Sequence, residues 1–279
     1  MSFLLSFLLA VGAFAADSTY QESARFQDTV GQTAYTVVLL RAAEGHHGGR
    51  VDIYAERGGQ RSLVYTHPGA LSYPELDEGQ PPRRFSALFK DGSRTLVYRM
   101  TNELSAESKL YILRLQDGRF KRLGVFQDGR LKDLDGDGVP EVVARKPLEG
   151  STMIRCEEFH ADAGSARETS IFRWDGRRFA DVSARHPDFY EQRLAGDRQA
   201  LVRLEPERLK LSGAYAGAAL TLYFDEKDAG RPKEAWKHLN DLIEANVSNP
   251  AVLAWRHHKE CIAQLRAEAR QRLRIPADW

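Results

Sequence analysis

The chain changes its hydrophobic period once. Up to about residue 205, apolar positions come in short runs rich in β-branched and aromatic residues, such as Tyr35-Thr-Val-Val-Leu-Leu40 and Leu110-Tyr-Ile-Leu-Arg-Leu115, broken by glycine-containing turns. Such runs predict strands, and turns this closely spaced predict antiparallel pairing. After about residue 207 the period lengthens to that of a helix. Pro232, followed by Ala235, Trp236, Leu239, Leu242 and Ile243, predicts an amphipathic helix begun by a proline in its first turn. A second helix is predicted from Asn249-Pro250, with Ala251, Trp255, Ile262, Leu265, Ala269 and Leu273 along one side. Residues Leu209 to Tyr223 are ambiguous. The expected fold class is therefore α+β, with antiparallel β-meander repeats over residues 16–206 and an α-helical region over 207–279.

Three hairpin turns stand out, at Gly58-Gly59, Asp117-Gly118 and Asp175-Gly176, pairs that supply the backbone twist a tight hairpin needs. The residues that open these hairpins, Tyr54, Leu113 and Phe172, are 59 positions apart (113 − 54 and 172 − 113), which predicts an internally repeated β unit. The segment Gly69 to Arg84, with Pro74, Pro81, Pro82 and the acidic run Glu75 to Glu78, reads as a long polar connection.

The richest chemistry lies in Asp133-Leu-Asp135-Gly-Asp137-Gly-Val139-Pro-Glu141. Hard cations take six to eight oxygen ligands at roughly 2.3–2.6 Å, and a tight loop provides them when alternate side chains turn inward. Asp133, Asp135 and Asp137 alternate in this way, and Gly136 and Gly138 permit positive φ. The carbonyl of Val139 offers a further oxygen, and Glu141 closes the set, so Ca²⁺ is the expected cofactor. A helix-loop-helix calcium hand requires an acid at the twelfth loop position, where this chain has Ala144. The segment Leu88-Phe-Lys-Asp91-Gly92, followed by Leu96-Val97-Tyr-Arg99, aligns with the end of the loop and with Val142-Val143-Ala-Arg145, as a unit that has lost its carboxylates.

The loop and the Val-Val strand after it resemble the calcium loop of FG-GAP/VCBS-like repeats, found in integrin-type β-propellers and many secreted bacterial proteins. The resemblance implies a loop joining two strands of a blade, with Asp133, Asp135, Asp137 and Glu141 as side-chain ligands and Val139 as the backbone ligand. Propellers close with about four to eight blades. Three units with one good metal loop imply an incomplete propeller-like stack with the helices packed at one end.

Composition narrows the remaining classes. A chain of 279 residues, 42% hydrophobic and 28% charged, is of ordinary globular composition, and a net charge of +1 argues against a general nucleic-acid-binding role. The apolar opening, ending in Ala13-Phe14-Ala15, predicts a cleaved export signal over residues 1–15, although no Lys or Arg precedes it. An N-terminal membrane anchor is the alternative. With the signal removed no membrane span is expected, and the protein is expected in the periplasm or outside the cell. Cys156 and Cys261 either pair as a disulfide or remain separate thiols. His46-His47 lies in a glycine-rich turn, and His257-His258 are helix neighbours pointing about 100° apart, so neither pair makes a metal site alone. Cys156 with Glu157, Glu158 and His160 offers a nucleophile and base by sequence proximity alone, and strand neighbours face opposite sides of a sheet. Known phosphate-loop, zinc-protease, nucleophile-elbow and dinucleotide motifs are absent from the sequence. The expected function is a non-catalytic binding or interaction module of the cell envelope, with a protein or envelope partner. The alternative is a secreted hydrolase whose catalytic residues are dispersed.

Overall fold

The computed structural model describes residues 19–76, 85–105, 107–147, 166–205, 213–247, 266–267, 269–271 and 273–279. Among them are three four-stranded antiparallel sheets, each a meander in chain order, and three α-helices. The first sheet contains β1 (Tyr20–Val30), β2 (Thr33–Ala42), β3 (Gly49–Arg57) and β4 (Gln60–Gly69). β5 (Ser72–Leu76), β6 (Arg94–Asn102), β7 (Ser108–Gln116) and β8 (Arg119–Gln127) form the second. The third contains β9 (Arg130–Lys132), β10 (Glu141–Pro147), β11 (Arg167–Trp174) and β12 (Phe179–Asp181). The helices are α1 (Pro187–Arg203), α2 (Gly213–Asp228) and α3 (Pro232–Val247). The α+β class read from the sequence is the class observed.

The 59-residue spacing has a structural cause. Gly58-Gly59, Asp117-Gly118 and Asp175-Gly176 each turn the third strand of a sheet into its fourth. Likewise, the Asp91-Gly92 loop leads into β6 and the acidic loop into β10, both the second strands of their sheets.

Side-chain alternation shows how the sheets stack. Along β6, Leu96, Tyr98 and Met100 pack with Tyr35, Val37, Leu39, Val51 and Ile53 of the first sheet, while Val97 packs with Val142, Ala144 and Trp174 of the third. On β7, Leu113 and Leu115 follow the first group, and Leu110 and Ile112 the second. The middle sheet is thus buried on both faces, which explains why its strands read as continuous apolar runs instead of alternating. The far face of the third sheet meets the helices: Ile171, Val182 and Tyr190 form a buried cluster, and the Tyr190 hydroxyl donates to the Thr169 carbonyl at 3.0 Å. Beyond it, Ala219, Tyr223 and Phe224 of α2 pack on Ala235, Trp236, Leu239 and Ile243 of α3, with Ala269. The layer order is first sheet, second sheet, third sheet, helices.

Polar groups join the layers as well. Tyr98, fully buried, bonds His67 Nδ1 at 2.8 Å and the Tyr65 hydroxyl at 3.2 Å, and stacks on Tyr111 with ring centres 5.2 Å apart. Burial pushes its pKa up, so the phenol stays protonated and available for these bonds.

Two local readings change. Ser72–Leu76, within the predicted connection, is β5; its Pro74 sits in an edge strand, where a missing N–H is tolerated. Among the described residues a 3-10 turn at Ser183–Arg185 and then α1 from Pro187 lie within the stretch read as strands; α1 buries only Tyr190 and Leu194 and carries little apolar periodicity to reveal it. Pro187 occupies its first turn, as proline's fixed φ favours. The ambiguous segment before Tyr223 lies partly in α2. The predicted export signal, Cys156 and Cys261, His257-His258, the Cys156–His160 cluster and most of the last predicted helix lie outside the described residues. Among the described residues no helix is long and apolar enough to cross a membrane.

Candidate metal centre

The acidic loop connects β9 to β10, so its two ends are fixed by the ladder that pairs Lys132 with Glu141. Between them Gly136 and Gly138 adopt φ of 74° and 79°, as the sequence requires. Asp133 organises the turn from within, its two oxygens accepting the N–H groups of Gly136 at 2.8 Å and Gly138 at 2.9 Å. Asp135 accepts from the Asp137 N–H at 3.2 Å, and Asp137 from the Val139 N–H at 2.7 Å. Glu141, fully buried, accepts from the Leu134 N–H at 2.9 Å.

Three of the five sequence-predicted ligands converge. One carboxylate oxygen each from Asp133, Asp135 and Glu141 lie within 4.8 Å of one another. Oxygens about 2.4 Å from a common ion can be up to about 4.8 Å apart, so this spacing fits a calcium-sized cation. Asp137 is outside that trio, and Val139 engages the loop through its N–H.

Two cations that the loop sequence does not announce reach into it. Arg173 of β11 binds Asp135 at 2.5 Å, Glu141 at 2.7 Å, and also Asp137. Lys90, from the loop before β6, donates to the Asp137 carbonyl. Four carboxylates facing two cations leave a formal charge of −2, which one divalent ion would neutralise. Asp137 has a lowered pKa because it accepts the Val139 N–H and pairs with Arg173. Arg173 is held still more firmly protonated than usual by the bonds to Asp137 and Asp135. A signal for Arg173 does exist in the repeat. Arg114 occupies the equivalent position after Leu113 and lies 3.5 Å from Asp91 in the loop without the carboxylates.

The chain matches no family model, no curated protein and no solved structure.

Of the histidine pair in the glycine-rich turn, His47 has a side-chain partner. His47 Nδ1 lies 2.8 Å from Glu103, whose other oxygen accepts the Gly48 N–H at 3.1 Å, so Glu103 ties that turn to the second sheet. Glu103 has a lowered pKa from these two bonds.

A second titrating group lies behind the third sheet. Asp225 of α2 is fully buried, accepts from Arg193 of α1 at 2.6 Å and faces Asp197. Burial and the bond to Asp197 push its pKa up to about 7, and burial pushes Asp228 to about 6. Asp225 Oδ1 and Asp197 Oδ2, buried and otherwise without partners, are explained by a proton shared between the two carboxyls. Between the ordinary value of 3.8 and these raised values the folded chain holds protons that the unfolded chain has released. Stability contributed here is therefore present at low pH and lost as the pH rises from about 4 to about 7. Urea titrations at pH 5 and pH 7.5 are expected to give a higher midpoint at pH 5, and Asp225→Asn should flatten the difference. An unchanged slope in that variant would assign the pH dependence elsewhere.

Proposed function

We propose that this chain is an exported, non-catalytic binding module in which Ca²⁺ stabilises a β-repeat unit, the three meanders forming an incomplete propeller-like assembly. The observation that carries the metal reading is the convergence of Asp133, Asp135 and Glu141 oxygens in a loop with an uncompensated charge of −2. When bound, the ion supplies cross-linking of carboxylates and no redox chemistry. Asp133, Asp135 and Glu141 would hold it, with Asp137 and the Val139 carbonyl as the remaining candidate oxygens. Asp133 and Glu141 already fix the loop backbone, so the ion's role is structural: it pins the β9–β10 connection against the third sheet. The propeller-like reading draws on the equal place of each repeated turn within its sheet. Export rests on the sequence of residues 1–15. The hydrolase alternative is not favoured by Asp225, since a fully buried carboxyl paired with Arg193 is not presented to a substrate.

Thermal unfolding in calcium and in chelator tests this reading, with Asp135→Ala alongside. At a hundred times its dissociation constant the ion adds about 2.7 kcal/mol, so the wild-type melting temperature should rise by about 5–10 °C. The variant should not move. Equal melting of the wild type with and without calcium ends the metal reading.

A further inference from the structure

The net charge of +1 conceals a concentrated cationic region. Between the second sheet, the third sheet and α1 lies a cavity of about 570 Å³ whose wall includes Arg99, Arg130, Lys132, Arg145, Arg167 and Arg193. One carboxylate, Asp128, lines it, and that group is already bound to Arg167. Arg99, Arg130 and Leu131 are shared with a neighbouring cavity of about 850 Å³ that runs on past β5 to β1 and β2 and includes Arg41. The two form a cleft along β1, β5 and β9, the first strands of the three sheets.

The arginines follow the repeat. Arg41 on β2, Arg99 on β6 and Arg145 on β10 are all on second strands, and each turns toward the next layer. Arg41 lies over the Tyr73 ring of β5 at 3.6 Å, Arg99 donates to the Gly129 carbonyl beside β9 at 2.6 Å, and Arg145 lines the same cavity as Arg193 of α1. Stacked layers thus deliver one arginine each to the same edge of the molecule. Among the described residues neither Arg130 nor Arg145 has an ion-pair partner, whereas Arg193 is bound to Asp225 and Arg167 to Asp128. Guanidinium groups are planar, permanently charged and matched to the paired oxygens of phosphate, and clustering them around only Asp128 in one cavity and Glu75 in the other is unfavourable unless an anion completes the cluster.

We propose that this cleft binds a multiply charged oxyanion of the phosphate class, gripped by Arg130 and Arg145 and flanked by Arg99, Arg167 and Arg193. The proposal rests on the reading of the chain as a binding module but not on its metal. A second physical sign agrees with it: partial burial and the charges of Arg193, Arg130 and Arg167 lower the pKa of Arg145, with Asp225 the opposing charge. The uncomplexed site therefore carries repulsion that a bound anion would relieve.

Calorimetric titration with sodium phosphate, pyrophosphate and glycerol phosphate, at fixed ionic strength and in EDTA, tests the site without calcium. Saturable binding is expected, weakened at least tenfold in Arg130→Gln/Arg145→Gln and unchanged in Arg178→Gln, a turn residue outside the cleft. Melting curves guard against misfolding of the double variant. Without phosphate the variant should melt at or above the wild-type temperature, because repulsion is removed, and phosphate should raise only the wild type. Vesicles of phosphatidylcholine with phosphatidic acid separate the sources. Arginine-dependent vesicle binding without binding of soluble phosphates assigns the site to a lipid headgroup, and the reverse assigns it to a free phosphate. Absence of binding in every arm, or equal binding by the double variant, overturns the proposal. Because EDTA is present throughout, failure of the calcium reading leaves this result standing, and failure here leaves the calcium test untouched.

Discussion

Replacing Arg173 by methionine is expected to cost about 3–5 kcal/mol in chelator, and much less in millimolar calcium. The chelator value comes from Glu141. Its side chain is 0% exposed and Arg173 lies 2.7 Å from it, so removing the guanidinium leaves a buried carboxylate without its cation. Methionine retains the apolar stem, which isolates the loss of charge. The contacts with Asp135 and Asp137 add little to the total, because these carboxylates are 41% and 43% exposed and water screens them. Calcium separates two accounts of the loop. If the ion enters among Asp133, Asp135 and Glu141, it restores the missing positive charge, and most of the lost stability returns. If Arg173 is itself the counter-charge that replaces an ion, calcium restores nothing, and Arg173→Met remains destabilised in both buffers. Urea denaturation of the wild type and Arg173→Met, each with and without calcium, measures the difference. Glu141→Gln provides the internal control, since the amide carbonyl can still accept the Leu134 N–H while the buried charge is gone.

What could be read in the sequence was local. The Asp-Gly and Gly-Gly turns identified three hairpins and their period, because the turn conformation depends on two residues and not on what packs above them. The same holds for Gly136 and Gly138, whose positive φ follows from the loop alone. Trp236, Leu239 and Ile243 showed α3 because they fall at helical spacing on the one face of it that is buried. Elements supported by tertiary contacts were not legible. β5 is short, contains Pro74 and exists because it pairs with β6. α1 offers few buried residues, and its position depends on the third sheet. Within the candidate site the acids of the loop were legible, but their cations were not. Arg173 is on β11 and comes to the loop by the pairing of Val142 with Phe172, a long-range register that no local pattern encodes.

The acidic loop and the cationic cleft share a support. β9 contributes Arg130 and Lys132 to the cleft wall and leads directly into Asp133, while β10 begins at Glu141 and carries Arg145. The hairpin thus carries its acids at the loop end and Arg130 and Arg145 away from it, with Lys132 at the junction, paired with Glu141. The repeat explains the arrangement further: the second unit keeps the strand arginine, Arg99, but has only Asp91 where the third has a cage, and there Arg114 lies 3.5 Å away as counter-charge. The acidic loop is a property of one unit, and the strand arginine a property of all three.

The largest effect on folding is expected at a glycine. Gly48→Ala should cost more than about 4 kcal/mol, a loss in the range reserved for severe backbone conflict. Gly48 has φ of 96°, and a Cβ there would collide with the Gly69 carbonyl oxygen and stand 2.7 Å from that of Ala70. Both neighbours are backbone, so no side chain can swing aside. The adjacent position is as tight: a Cβ on Gly49 would lie 2.5 Å from Pro74 Cδ and 2.6 Å from the Leu40 carbonyl. The glycines after His47 are therefore present for close approach, where the first sheet hands over to the second, and not for a loose turn. Gly58→Ala isolates the conformational part of the effect. Gly58 also has positive φ, 58°, but its Cβ would meet nothing within 4 Å, so only the left-handed backbone strain of about 1–2 kcal/mol applies. Urea midpoints of the two variants should thus differ several-fold in their displacement from the wild type. Equal displacements would mean that the Gly69 and Ala70 carbonyls do not close on Gly48.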